Sequence, residues 1–332
     1  MAELLKVHGS DNNFFLLDQT ALTTPLPATT LTTLAQRLSA REHGLLGGAD
    51  GLLVVDADAE AAGRMTVINA DGSIAKMCGN GLRTVSRYLS EKTGADTFTV
   101  QTAEARLRVH QAPDLAAGVP AYGVEISPVS FAAKDLPFTQ LGHEQLIDTV
   151  LPQLHPTLRF TAVAVPNPHL IAFVAESELN GDTLRQLGER LNAANPYFPE
   201  GVNVTFAAIE GQNTLFARTY ERGVGFTNAC GTGMSATSLA LVLTHPEVAQ
   251  FETPLTVYNP GGMVQTIVHQ EAQGRYWIEL IGNATVTDTI TVPEASLTAG
   301  TFAGATSTPT GEATQYAAFV ANLPHRDVVA AV

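Results

Sequence analysis

Positive charge is scarce in this chain: 18 Lys and Arg stand against 32 Asp and Glu in 332 residues, a net charge of −14. Such a surface repels phosphate backbones and anionic lipid, which argues against nucleic acid or a membrane as partner. Charged residues of either sign make up only 15% of the chain while 45% is hydrophobic, the balance of a packed globular protein rather than a disordered one. No apolar run approaches the length of a membrane span, and Glu3 sits where a secretory leader would carry basic residues. The expected setting is therefore the cytoplasm, with thiols reduced. A Gly-x-x-x-x-Gly-Lys phosphate loop is missing, and no Gly-x-Gly-x-x-Gly follows a convincing strand, so no cofactor is expected. Cysteine is reduced to two residues, too few for a disulfide framework and without the Cys-x-x-Cys spacing of a metal site, so no metal is expected either.

What the chain does have is one motif twice. Cys78 lies in Lys-Met-Cys-Gly-Asn-Gly-Leu and Cys230 in Asn-Ala-Cys-Gly-Thr-Gly-Met. Each Cys-Gly-x-Gly follows an extended apolar segment and precedes a helical one, which predicts a sulfur at each helix N-terminus. There the unpaired amides and the positive dipole end favour a thiolate and bind an anion. The flanking glycines let a ligand carboxylate approach the backbone. The bland alternative, cysteine as a small core hydrophobe, gives no reason for two cysteines to share a Gly-x-Gly follower at a polar helix start. Acid and base groups on opposite sides of one carbon can invert a stereocentre without a cofactor.

A chain of this length accommodates two domains. Short β-branched runs read as strands near 14–17, 52–55, 65–68, 98–100, 107–109 and 124–126, and again near 160–165, 170–174, 202–209, 215–220, 255–258 and 276–281. Leu82, Val85 and Leu89 fall at helical spacing behind Cys78. A surface helix is expected over Thr183 to Asn195, stopping at Pro196, and the run after Cys230 is apolar or small on every face, which predicts a helix surrounded by protein. Aligning the two cysteines superposes strand, polar turn, Cys-Gly-x-Gly, helix and a Thr-Val strand, an internal repeat. The division expected is residues 1–130, 131–288, and an Ala/Thr/Gly-rich extension over 289–332 that either moves freely or packs on the first domain.

The segments Asn69 to Arg83 and Ala217 to Gly233 resemble the diaminopimelate epimerase family, supported by Asn12, by Gly48-Ala-Asp-Gly, by Asn167-Pro-His169, by Gly201-Val-Asn203 and by Pro260-Gly-Gly. The resemblance implies an α/β (α+β) fold of two pseudo-symmetric domains, each a curved, mainly antiparallel sheet or barrel wrapped around a central helix. It implies a cofactor-independent isomerase that interconverts LL- and meso-diaminopimelate in lysine and cell-wall precursor biosynthesis and works as a homodimer. Carried over by position, Cys78 and Cys230 become the thiolate and thiol that exchange the α-proton. The amides of Gly79, Asn80, Gly231 and Thr232 hold the α-carboxylate. Asn12, Asn69, Asn167, Asn203 and Arg222 surround the distal end, with Arg222 on its carboxylate. Glu221 receives the α-ammonium, and His169 tunes a thiol.

Each of these residues has a structural reading as well: an Asn as a turn residue, His169 as a satisfied buried histidine, Glu221 and Arg222 as a surface pair. Three positions depart from the family pattern, namely Asn13, Phe226 and Met234-Ser235, and Phe226 matters most because it precedes Cys230 by four residues. Its ring suggests a loop held by packing instead of by a carboxylate. Two rival functions remain at this stage. One is a proline or hydroxyproline racemase, which uses the same two-thiol logic but resembles Cys-Gly-His-Gly where Asn80 stands here. The other is a non-catalytic amino-acid-binding or redox-sensing protein.

Overall fold

The computed structural model describes residues 1–324, and the last residues of the extension, 325–332, lie outside them. The fold is mixed α+β, mostly sheet, with six α-helices among the described residues. Two compact units emerge, one of Met1–Val124 with Ile281–Leu323, the other beginning at Glu125 and ending its main span at Leu280.

In the first unit Ala2–Gly9 pairs antiparallel with Asn12–Asp18, and α1 (Ala28–Ser39) crosses over to Gly51–Asp56, parallel to Asn12–Asp18. Gly63–Asn69 returns antiparallel, α2 (Gly79–Thr93) crosses over, and Thr97–Gln101 runs parallel to Gly63–Asn69 before turning back into Arg106–Ala116. The second unit repeats this order. Arg159–Ala164 pairs antiparallel with Pro168–Phe173, and α3 (Asp182–Asn192) crosses to the parallel strand Asn203–Gly211. Thr214–Glu221 returns antiparallel, and α4 (Gly231–Thr244) crosses to the parallel strand Pro254–Asn259, which turns into Gly262–Gln270. The two cysteines therefore stand at the same step of the same topology. Each is the residue before a helix that a parallel connection requires, since parallel strands cannot be joined by a tight turn.

Apolar spacing explains which face each helix buries. Leu31, Leu34, Ala35 and Leu38 recur at three and four residues along α1 and pack into a core with Leu4, Phe15 and Leu52. In α2 the buried stripe includes Leu82, Val85 and Leu89, and Gly94 ends the helix in a left-handed cap, φ 73°, its N–H bonded to the Ser90 carbonyl. Helix α4 is buried from Gly231 through Val242. Its hydroxyls tolerate this because Ser235, Thr237 and Ser238 each donate to the carbonyl four residues back, at 2.7–2.9 Å.

Helix α3 ends at Asn192, short of the Asn195 expected from sequence. Asn195 instead organises the exit turn: its Nδ2 donates to the Leu191 carbonyl at 2.9 Å while its Oδ1 accepts the amides of Tyr197 and Phe198. An asparagine that can satisfy backbone groups in a turn competes with the helix it follows.

Residues 281–323 belong to the first unit. Thr285–Val292 pairs antiparallel with Ala2–Gly9, so residues 281–288, assigned from sequence to the second domain, cluster with the first. Thr306–Pro309 adds to Thr285–Val292, α5 (Glu294–Ala299) buries Leu297 in the same core as Leu4, and α6 (Glu312–Ala321) places Glu312 against Arg87 of α2 at 2.7 Å. Ile290, Val292 and Leu297 of the extension are thus part of that core. Leu297→Ala is expected to lower the stability of the protein by about 2–4 kcal/mol, read as a shift of the urea midpoint. An unchanged midpoint would mean that the extension adds nothing to the first unit.

Candidate active site

The candidate residues form two clusters, one in each unit. In the first, Cys78 is the N-cap of α2 and is half-buried, and the Gly81 amide donates to its Sγ at 3.3 Å. Asn12 lies beside it: its Oδ1 is 3.9 Å from Cys78 Sγ and accepts from Asn80 Nδ2 at 3.3 Å. The orientation of the Asn12 amide is set by Asp50, whose Oδ2 accepts from Asn12 Nδ2 at 2.8 Å and from the Asn13 amide at 2.8 Å. Asn69 ends the strand next to Gly51 in register, at this same end of the sheet, and donates to Ser73 Oγ at 2.9 Å. Asp50 was not singled out as a site residue by sequence, although it lies inside the Gly48-Ala-Asp-Gly segment. Its role is visible only once the parallel pairing of Asn12–Asp18 with Gly51–Asp56 brings it to Asn12.

The second cluster is more enclosed. Cys230 is the N-cap of α4 and only 6% exposed. Thr232 Oγ1 lies 3.7 Å from its Sγ and 3.1 Å from His169 Nε2, and the same ring nitrogen is 3.2 Å from Asn167 Oδ1. His169 and Asn203 are register partners on parallel strands, with Asn203 Nδ2 3.5 Å from the imidazole and Asn203 Oδ1 accepting the Arg222 amide at 2.7 Å. Glu221 accepts from Thr227 Oγ1 at 2.5 Å. The Arg222 side chain is exposed, lies along Gly201, and donates through Nη1 to the Glu200 carbonyl at 2.9 Å. The residues named from sequence in this unit, Asn167, His169, Asn203, Glu221, Arg222, Cys230, Gly231 and Thr232, thus lie in one neighbourhood linked by these contacts and by chain adjacency.

The second glycine of each motif has the same steric reason. A Cβ on Gly81 would come within 2.7 Å of Leu53 and 3.5 Å of Cys78 Sγ, and one on Gly233 within 2.9 Å of Thr219 Oγ1 and 3.2 Å of Cys230 Sγ. A side chain at either position would fill the space beside the sulfur. Phe226, the departure nearest Cys230, packs edge-on to Tyr220 at 5.4 Å and lies under the Arg218 guanidinium at 4.2 Å. Apolar contact and a cation–π interaction hold this loop.

The two thiols share a motif but not an electrostatic setting. Burial pushes the Cys230 thiol well above the usual range, the Glu221 carboxylate adds to this, and the Thr232 hydroxyl and the Gly233 amide oppose it. His169 is fully buried, and desolvation followed by the charge of Arg222 pulls its pKa down to about 3, so the imidazole is neutral near pH 7. A histidine depressed in the folded state takes up its proton only on unfolding, so its effect on stability is absent above about pH 6.5 and grows as pH falls towards 3. From pH 7 to pH 5 this one group should cost about 2 kcal/mol of folding free energy. Urea titrations at the two pH values should show that much less acid sensitivity in His169→Gln; equal sensitivity would place the proton on the folded histidine.

The model of the diaminopimelate epimerase family matches residues 4–116 and 161–287. The diaminopimelate epimerase of Ligilactobacillus salivarius is 53% identical over 98% of this chain and 100% of its own length, and that of Enterococcus faecalis 53% over 97% and 98%. Among solved structures, a Bacillus anthracis phenazine biosynthesis protein of the PhzF family superposes with a TM-score of 0.62 at 14% identity, covering 87% of this chain and 97% of its own. A probable proline racemase from Agrobacterium radiobacter does so with a TM-score of 0.60 at 15% identity, covering 90% and 96%. These two share the fold. With the family model matched across both repeats and relatives half identical over nearly the whole length, the chain belongs to the diaminopimelate epimerase family.

Proposed function

We propose that this protein interconverts LL- and meso-diaminopimelate by proton transfer at one α-carbon, with Cys78 and Cys230 as the two proton-transfer groups. The observation that carries the reading is the duplicated one: a cysteine N-cap at the same step of the same topology, in a chain similar over its length to diaminopimelate epimerases. Inversion at carbon requires a base on one face and an acid on the other, and two thiols with unequal surroundings supply both. Cys230, held protonated by burial and by Glu221, is suited to deliver a proton. Cys78, whose sulfur accepts the Gly81 N–H, is suited to remove one. Their roles exchange when the reaction runs backwards.

Deprotonating an amino-acid α-carbon needs more than a thiolate, because the carbanion is far more basic than sulfur. The amides of the first turns of α2 and α4, at Gly79, Asn80, Gly231 and Thr232, are assigned to the α-carboxylate and the charge that spreads into it, since helix N-termini favour an anion. Glu221 is the acidic group for the α-ammonium, and its carboxylate also favours the protonated state of Cys230. Thr232 and the neutral His169 stand next to Cys230 as a path by which its proton returns between turnovers. Asn12, Asn69, Asn167, Asn203 and Arg222 are assigned to the distal end of the substrate. Arg222, exposed in this structure, offers a planar fork for the second carboxylate. The same reading carries the family's homodimer and a cytoplasmic setting, which keeps both thiols reduced. Among the described residues no helix is long and apolar enough to cross a membrane.

The test is direct. In heavy water, the protein with LL-diaminopimelate should yield the meso isomer with deuterium at the α-carbon, while proline and lysine should remain unexchanged. Exchange of proline or lysine at a comparable rate would sink the substrate assignment. Cys78→Ala and Cys230→Ala should each abolish epimerisation while preserving the circular dichroism spectrum; near-normal turnover by either variant would end the two-thiol mechanism. Arg222→Ala should lose about 1.5–3 kcal/mol in kcat/KM, the range for a charged hydrogen-bonded contact, and an unchanged kcat/KM would remove Arg222 from substrate recognition.

A further inference from the structure

Arg83 lies five residues into α2 behind Cys78 and is fully buried. Its Nε donates to the Asn283 carbonyl at 3.1 Å and its Nη2 to Ser10 Oγ at 3.3 Å, while Nη1 has no hydrogen-bond partner among the described residues. The fork is wedged against the start of α2: a Cβ on Gly9 would lie 2.8 Å from Arg83 Nη2 and 3.0 Å from the Asn80 carbonyl oxygen. No carboxylate forms an ion pair with it among the described residues, and the acidic groups on which its charge acts are the Tyr316 hydroxyl and the Cys78 thiol. A buried guanidinium without a counter-ion is costly, and a well-packed apolar residue would be cheaper if stability alone were served.

Two structural features connect this cation to the first cluster. Ser10 and Asp11 both occupy the left-handed region, φ 52° and 63°, in the turn that leads into Asn12. That turn is held by Asn283, whose Oδ1 accepts the Ser10 amide at 2.7 Å, and by the Arg83 fork on Ser10 Oγ. Asn12 then faces Cys78 with a carbonyl oxygen, a contact that favours the protonated thiol and would by itself oppose a thiolate. On α6, Tyr316 is 6% exposed and packs edge-on to His8 with ring centroids 4.7 Å apart, and Arg83 itself has no exposed surface. A charge so enclosed is little screened by bulk water.

We infer that Arg83 is a positioning residue for Cys78, a buried cation that favours the thiolate and pins the turn carrying Asn12, with Tyr316 of the C-terminal extension as its seal. The inference deepens the epimerase reading and rests on Cys78 being a proton-transfer thiol. The other titratable and charged groups nearby are His8, Asp11, Asp50, Arg87 and Glu312. Burial pulls His8 down to about 4 and pushes Tyr316 up, Asp50 is engaged by Asn12 and Arg41, and Glu312 by Arg87, so across neutral pH alkylation of Cys78 reports its own ionisation.

The experiment uses the full chain without substrate. Iodoacetamide labelling of the Cys78 peptide is followed by mass spectrometry from pH 5 to pH 10, as general conditions, and the midpoint of the rate profile is read. With Arg83 present the midpoint should lie about one unit or more below the ordinary thiol value of about 8.5. Arg83→Gln should raise it by about one unit and slow labelling at pH 7 about tenfold. An unchanged or lowered midpoint in a folded Arg83→Gln variant overturns the inference, whatever happens to turnover: releasing the Asn12 turn alone would take away a contact that favours the protonated thiol, so only loss of the cation raises the midpoint. Should that variant not fold, the unaltered protein still decides: a Cys78 midpoint at or above about 8.5 overturns the proposal. Because labelling needs no substrate, a failed epimerase assay and a failed Arg83 assay are separate results.

Discussion

A helix that begins at a cysteine is the constraint on which each unit depends. Both Gly63–Asn69 and Thr214–Glu221 are followed by strands that run parallel to them, so each needs a crossover, and the crossover helix covers the sheet. Its first amides emerge at the strand ends without intrahelical partners. A cysteine N-cap puts a thiol at that point, and a second glycine keeps the space beside the sulfur open.

Repetition of the motif does not make the two thiols equivalent. Cys230 is enclosed by α4, Thr232 and the His169 strand, and burial together with the Glu221 charge holds its proton on. Cys78 is half-buried and receives an amide N–H, with Arg83 behind it. A repeated backbone with unequal burial thus gives two thiols of one side-chain type in different surroundings, the asymmetry on which the proposed acid and base roles rest.

Much of this was legible in the sequence where a single local pattern decides the outcome. The strand runs, the buried stripe of α2 and the all-round burial of α4 follow from apolar spacing alone. Less legible was α1, whose Leu31, Leu34 and Leu38 stripe is interrupted by Thr29, Thr30, Thr32 and Thr33, residues with weak helix preference. The end of α3 was misplaced because Asn195 satisfies the backbone as a turn residue. The strands Ala2–Gly9 and Thr285–Val292 owe their pairing to residues at opposite ends of the chain, and no local pattern encodes that. Among site residues, the two cysteines announce themselves, whereas Asp50 and Arg83 act through Asn12 and Ser10 and become visible only when strands distant in sequence are neighbours.

The same dependence on distant residues ties the described part of the extension to the rear of α2. Asn283, from the strand ahead of it, holds the Ser10 amide and accepts from Arg83. Glu312 forms a two-pronged pair with Arg87 on α2, one turn beyond Arg83, and also accepts the Val286 amide. Tyr316 then sits over His8 and the buried fork. Arg83 is thereby fully buried on a helix whose N-cap is Cys78. In a low-dielectric surround a fixed cation acts on a nearby thiol more strongly than in water, which is the physical ground for the positioning role inferred for Arg83.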